Sequence, residues 1–160
     1  ALNQSGEHCR RILDIDYDIY AAGEAELGWL NANISIQAEV EFDLDLILTN
    51  LLQQMVDEMH ELGSEVAHLK VIGQAEGAYA VANAISNDQP VQLSLASEHR
   101  TRFAELVVNA RIAIPPETLE ATFRKVLEHL ANRNSLVVAT TALNCLKPGR
   151  PVPTHRFNGD

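Results

Sequence analysis

The chain has 160 residues, room for about one domain. With 46% hydrophobic and 21% charged residues it has the composition of a globular protein, which excludes intrinsic disorder, collagen and coiled-coil arrays. Its net charge of −10 is unevenly spread: residues 1–65 carry 14 acidic and 2 basic side chains, residues 66–160 carry 8 and 10. Affinity for phosphate backbones comes mainly from Lys and Arg, so nucleic acid is not an expected partner. No apolar run approaches the ~20 residues of a membrane span. The first eleven residues have no signal-peptide core. A soluble, cytoplasmic protein with no membrane partner is therefore expected, and its two cysteines, Cys9 and Cys145, are expected as reduced thiols.

Along the chain, residues 1–28 read as an acidic approach segment, with a short helix around 18–27. The clearest pattern follows. From 31 to 42, Ala32, Ile34, Ile36, Ala38, Val40 and Phe42 alternate with Asn31, Asn33, Ser35, Gln37, Glu39 and Glu41. Period two over that length predicts a long strand with one buried and one wet face. Asp43 stands where a helix cap belongs. Leu44, Leu48, Leu51, Leu52, Met55, Met59 and Leu62 then recur at helical spacing, and Gly63 suits the left-handed residue that closes a helix.

A second strand is predicted at about 65–72, with a break at Gly73–Gly77. Residues 78–86 suit a strand or an alanine-rich helix. The turn-forming run Ser86-Asn87-Asp88-Gln89-Pro90 and the alternation of Val91, Leu93 and Leu95 favour a hairpin over 78–95. After a charged turn at 98–102, Ala104, Leu106, Val108, Ala110, Ile112 and Ile114 line one face of a further strand. Pro115-Pro116-Glu117 starts a second helix, because proline is tolerated in a first turn and an acid suits the dipole there. Leu119, Phe123, Val126, Leu127 and Leu130 form its apolar face, and 136–146 is the last strand. Three prolines keep 147–160 out of a sheet interior and leave it as a basic tail.

The order strand–helix–strand, hairpin, strand–helix–strand predicts an α+β, ferredoxin-like two-layer sandwich over 29–146. Two βαβ units carry an inserted β-hairpin, and both helices lie on one face of a mainly antiparallel sheet. The opposite face is expected to be polar, carrying Asn33, Ser35, Gln37 and Glu39, with Asn109 and Arg111 nearby.

The chemistry-bearing motifs are largely negative. No phosphate-cradling glycine loop exists, since Gly73 and Gly77 form neither a P-loop nor a dinucleotide fingerprint. Asp14, Asp16 and Asp18 open like a calcium loop, but Ile19 and Ala25 stand where its glycine and glutamate belong. Only His8 and Cys9 are adjacent among the metal-ligating types, and no Cys-x-x-Cys pair exists. The metal candidates are His8, Cys9 and His68, the last expected to share a strand face with Lys70. Cys145 reads as a small buried hydrophobe and no nucleophile elbow is present, so no catalytic residue is assigned and no enzyme is expected. Lys147, Arg150, His155 and Arg156 could meet an anion or an acidic surface, or form a spacer over the chain's own acidic half.

Five sets of residues carry a family likeness: Asp16-Tyr17-Asp18-Ile19-Tyr20 with Glu24-Ala25-Glu26-Leu27-Gly28-Trp29-Leu30-Asn31; Glu65-Val66-Ala67-His68-Leu69-Lys70-Val71; Val108-Asn109-Ala110-Arg111; Pro115-Pro116-Glu117-Thr118-Leu119; and Pro148-Gly149-Arg150-Pro151 with Pro153-Thr154-His155-Arg156. In order and spacing the chain resembles the C-terminal part of the CobW-like P-loop GTPases, the cobalamin-synthesis and metallochaperone family. The family's P-loop and cysteine-rich metal motif are absent from these residues, so no GTP-binding or metal-loading residue carries over. The resemblance implies an accessory interaction domain. Its partner would be a P-loop GTPase domain, in cis or in trans, or a metal client protein. No cofactor is expected in this chain; GTP and a divalent metal such as Zn or Co would enter only with the GTPase domain. The interaction residues expected are Asn33, Ser35, Gln37, Glu39, Arg111, Arg150, His155 and Arg156. The rival reading is a standalone metal- or small-ligand-binding α+β domain, dimeric through sheet faces.

Overall fold

A computed structural model describes residues 27–147. The chain runs β1 (Gly28–Asp43), α1 (Leu44–Glu61), β2 (Val66–Ala75), β3 (Ala78–Ala84), β4 (Gln92–Leu95), β5 (Arg100–Ile112), α2 (Pro116–Asn134) and β6 (Val137–Leu146). All six strands form one antiparallel sheet in the order β4-β3-β2-β5-β1-β6. Both helices cover the same face. The protein is thus α+β, two helices on a six-stranded sheet, and 78–84 is a strand that pairs with β4 as the hairpin pattern predicts.

Local chemistry sets the ends of these elements. Asp43 caps α1, its carboxylate accepting from the Leu46 N–H at 3.1 Å. At the other end Gly63 takes φ 69°, while the Ser64 and Gly63 N–H groups donate to the Met59 and His60 carbonyls. That is the Schellman pattern for closing a helix. Leu62, expected on the apolar face of α1, is instead the C-cap residue and half exposed. Pro116 opens α2 and Ser135, in the left-handed region, ends it.

The core lies between helices and sheet. Leu30, Ala32, Ile34 and Ile36 of β1, and Ala104, Leu106, Val108, Ala110 and Ile112 of β5, meet Leu48, Leu51, Leu52 and Met55 of α1 and Phe123, Val126 and Leu130 of α2. Beneath the first turns of α1, β2 carries Gly73. A Cβ there would sit 2.9 Å from a Leu48 methyl and 3.1 Å from methyls of Leu44 and Leu106. Gly73 therefore continues the strand, contrary to the break expected at Gly73–Gly77. The turn is only Glu76 and Gly77, both at positive φ, as a two-residue hairpin of the favoured hand requires. The charged turn expected over 98–102 is likewise shorter, because Arg100 to Arg102 already belong to β5.

The alternation of β1 also breaks before its end. Pairing with β5 passes from Gln37↔Phe103 to Phe42↔Thr101, so the intervening β1 residues outnumber their partners. The bulge turns Val40 outward to 76% exposure, where strict alternation had placed it inside. Asp45 then ties the loop before β5 to the first turn of α1. Its carboxylate accepts from the Ser97 N–H and hydroxyl at 2.9 and 2.7 Å and from the Glu98 N–H at 2.8 Å.

Candidate functional site

The sheet face away from the helices is built of cross-strand rows whose composition changes from one row to the next. At one end Trp29 of β1, Arg111 of β5 and His68 of β2 stand abreast. The next row is polar across five strands: Asn144, Asn31, Asn109, Lys70 and Asn83. The third holds Asn33 between Ala142 and Val107, followed by Ile72, Val81 and Leu95. The fourth runs from Ser35 through Glu105 and Gln74 to Tyr79. Gln37 and Phe103 end the series. The expectation of a polar face is therefore corrected. Asn33, Ser35 and Gln37 do lie on it, but Val107, Ile72, Val81 and Leu95 make an apolar row across it, and Tyr79 and Phe103 beyond are 49% and 48% exposed. The single-strand pattern of β1 could not reveal this, because its partners bring the apolar residues.

Of the residues singled out by sequence, Arg111 and His68 come together. Glu39 lies in the bulge, away from them. His8, Cys9, Arg150, His155 and Arg156 fall outside the described residues, as do the acidic approach segment and all of the basic tail except Lys147.

Around Arg111 and His68 the first two rows enclose a cleft of about 300 Å³, lined by Trp29, Asn31, His68, Lys70, Asn109, Ala110 and Arg111. The Arg111 guanidinium sits 4.4 Å from the Trp29 ring centroid, a cation–π contact that orients both. The Trp29 Nε1–H is shielded from water and makes no hydrogen bond. Partial burial, then the charges of Arg111 and Lys70, hold the His68 imidazole below its ordinary pKa. Among the described residues no acidic side chain lines the cleft. Trp29, Asn31 and Lys70 are not among the site residues expected from the sequence; the register of β1 against β5 places Trp29 beside Arg111.

A larger hollow of about 620 Å³ lies between the start of α2 and the end of β6, beside Glu117, Cys145 and Lys147. Its thiol is not poised for attack. Cys145 Sγ donates to the Pro116 carbonyl at 3.1 Å, and burial, with the Glu120 and Glu117 carboxylates, pushes its pKa up. Among the described residues no group of three or more His, Cys, Asp or Glu side chains could hold a metal ion. No described helix is long and apolar enough to cross a membrane.

No protein-family model, curated protein or solved structure matches the chain. The functional reading therefore rests on the sheet face and its cleft.

Proposed function

We propose that this is a non-enzymatic accessory domain that works by docking its uncovered sheet face, and that it acts as the C-terminal domain of a CobW-like GTPase would. On this reading the protein is cytoplasmic. Its partner is a P-loop GTPase domain, in cis or in trans, or a metal client in metal delivery or cobalamin and metallocofactor assembly. GTP and a divalent metal belong to the partner. The observation that carries the docking is the row of Val107, Ile72, Val81 and Leu95, partly exposed, with Tyr79 and Phe103 half exposed beyond it, on the sheet face that the helices leave open. The ferredoxin-like plan is part of the proposal. Without β3 and β4 the strand order is β2-β5-β1-β6, with a helix between β1 and β2 and another between β5 and β6, which supports that plan.

The test is isothermal titration of the full chain with an isolated CobW-like GTPase domain, and separately with GTP, zinc and cobalt. Saturable binding of the GTPase domain, weakened at least tenfold by Tyr79→Asp with Phe103→Asp, is the expected result. Micromolar GTP binding by this chain alone would overturn the reading.

The rival, a ligand-binding α+β domain that stands alone, is favoured by one observation, the polar cleft beside the apolar row.

A further inference from the structure

We infer that the open sheet face docks a second copy of this chain, about a twofold axis lying along the row of Val107, Ile72, Val81 and Leu95. The inference rests on the docking reading for the face alone. It does not depend on the GTPase partner, which would have to displace the second copy.

The order of the rows makes this face complementary to itself. A twofold axis along the third row sets each row on one side of it against the row equally far on the other side. The apolar row then meets its own copy, so Val107, Ile72, Val81 and Leu95 leave water together. The fourth row, Ser35, Glu105, Gln74 and Tyr79, meets the second, Asn31, Asn109, Lys70 and Asn83, strand for strand. Gln37 and the exposed Phe103 meet the row that begins with Trp29. Apolar thus falls on apolar and polar on polar.

Charge follows the same symmetry. Glu105 of β5 stands on one side of the apolar row and Lys70 of the neighbouring β2 on the other. Same-face residues on a strand repeat about every 6.6 Å, so two rows hold the pair about 13 Å apart within one copy, too far for an ion pair. Among the described residues neither side chain makes one. In the twofold arrangement Glu105 faces Asn109 of the second copy. Lys70 of that copy is then one strand away, about 4.8 Å to the side, within reach of a lysine stem. The symmetry forms this contact twice. A foreign partner would require only the apolar patch; opposite charges set evenly about it are what a self-complementary surface requires. The area also suffices. Five rows and six strands span about 26 Å by 24 Å, or about 600 Å² a side, the lower end of standard-size interfaces.

The test is sedimentation equilibrium of the full chain across a concentration series, with each variant checked for folding by circular dichroism. The mass is expected to rise to twice the chain mass and stay there. Glu105→Lys sets a lysine against Lys70 of the second copy, and Lys70→Glu sets a carboxylate against its Glu105. Each should weaken the dimer at least about tenfold, because like charges then face each other at two symmetric contacts. The double variant exchanges the signs and recovers the dimer. Glu128→Lys, the same charge change on the exposed side of α2, leaves it intact. A chain that stays monomeric, a dimer indifferent to both single substitutions, or a folded double variant no tighter than the single ones overturns the inference. A monomer that still binds the GTPase domain removes the second copy and leaves the docking reading standing. A dimer that obeys the charge exchange and ignores the GTPase domain does the reverse.

Discussion

The two faces of this sheet are made by alternate residues of the same strands, yet they obey different rules. On the helix side the central strands are closely packed. Leu30, Ile34, Ile36 and Leu106 are almost completely buried, and Gly73 stands where a Cβ would meet the Leu44 and Leu48 methyls of α1. On the open side the same strands carry side chains that are half exposed, polar in one row and apolar in the next. Close packing punishes any change of volume, whereas a solvated face tolerates substitution and keeps groups available. The first face explains why the chain folds, and the second is where it can do something.

That contrast can be broken at graded positions. The largest loss is expected for Phe123→Ala, which empties a fully buried site on α2 and should cost about 3–5 kcal/mol in denaturant unfolding. Gly28→Ala comes next, at about 2–3 kcal/mol, since a Cβ there would lie 2.6 Å from the Ile114 carbonyl oxygen and backbone would have to move. Gly73→Ala should be milder, about 1 kcal/mol, because only leucine methyl groups need to shift.

Asp45 tests the seam between α1 and the loop before β5. Burial works against its charge, but the hydrogen bonds from Ser97 and Glu98 outweigh it and hold the carboxyl below its ordinary value of 3.8. A group with a lowered folded pKa stabilises above its unfolded value, and the contribution disappears as pH falls through the folded one. Thermal melting followed below pH 4 should therefore fall less steeply in Asp45→Asn than in the parent. The smallest effects belong to the open face. Lys70→Gln and Tyr79→Ser should each leave unfolding free energy within about 0.5 kcal/mol of the parent. A larger loss in either would show that the open face is part of the core and not a working surface.

Much of the architecture was legible because it rests on local periodicity and end signals. The alternation of 31–37, the Asp43 cap, the Gly63 stop and the Pro115-Pro116-Glu117 start all appear where the pattern placed them. The misreadings have a common cause. Val40 was assigned inward by parity, and parity fails at a bulge that only the partner strand creates. Gly73 was read as a break, and its role is set by the Leu44 and Leu48 side chains of a helix distant in sequence. Nothing on β1 itself signals that Val107 and Ile72 will stand beside Asn33.

The feature that began as a charge imbalance ends in the same way. By itself the sequence determined both helices, most of the strands, the face that the first half of β1 and most of β5 bury and the absence of nucleotide motifs, because these follow from side-chain type and spacing along one segment. Only the tertiary structure decided that Trp29, His68, Lys70 and Arg111 share one cleft. Strand order and register are settled by packing both helices onto one face, and that packing brings together three strands distant in sequence.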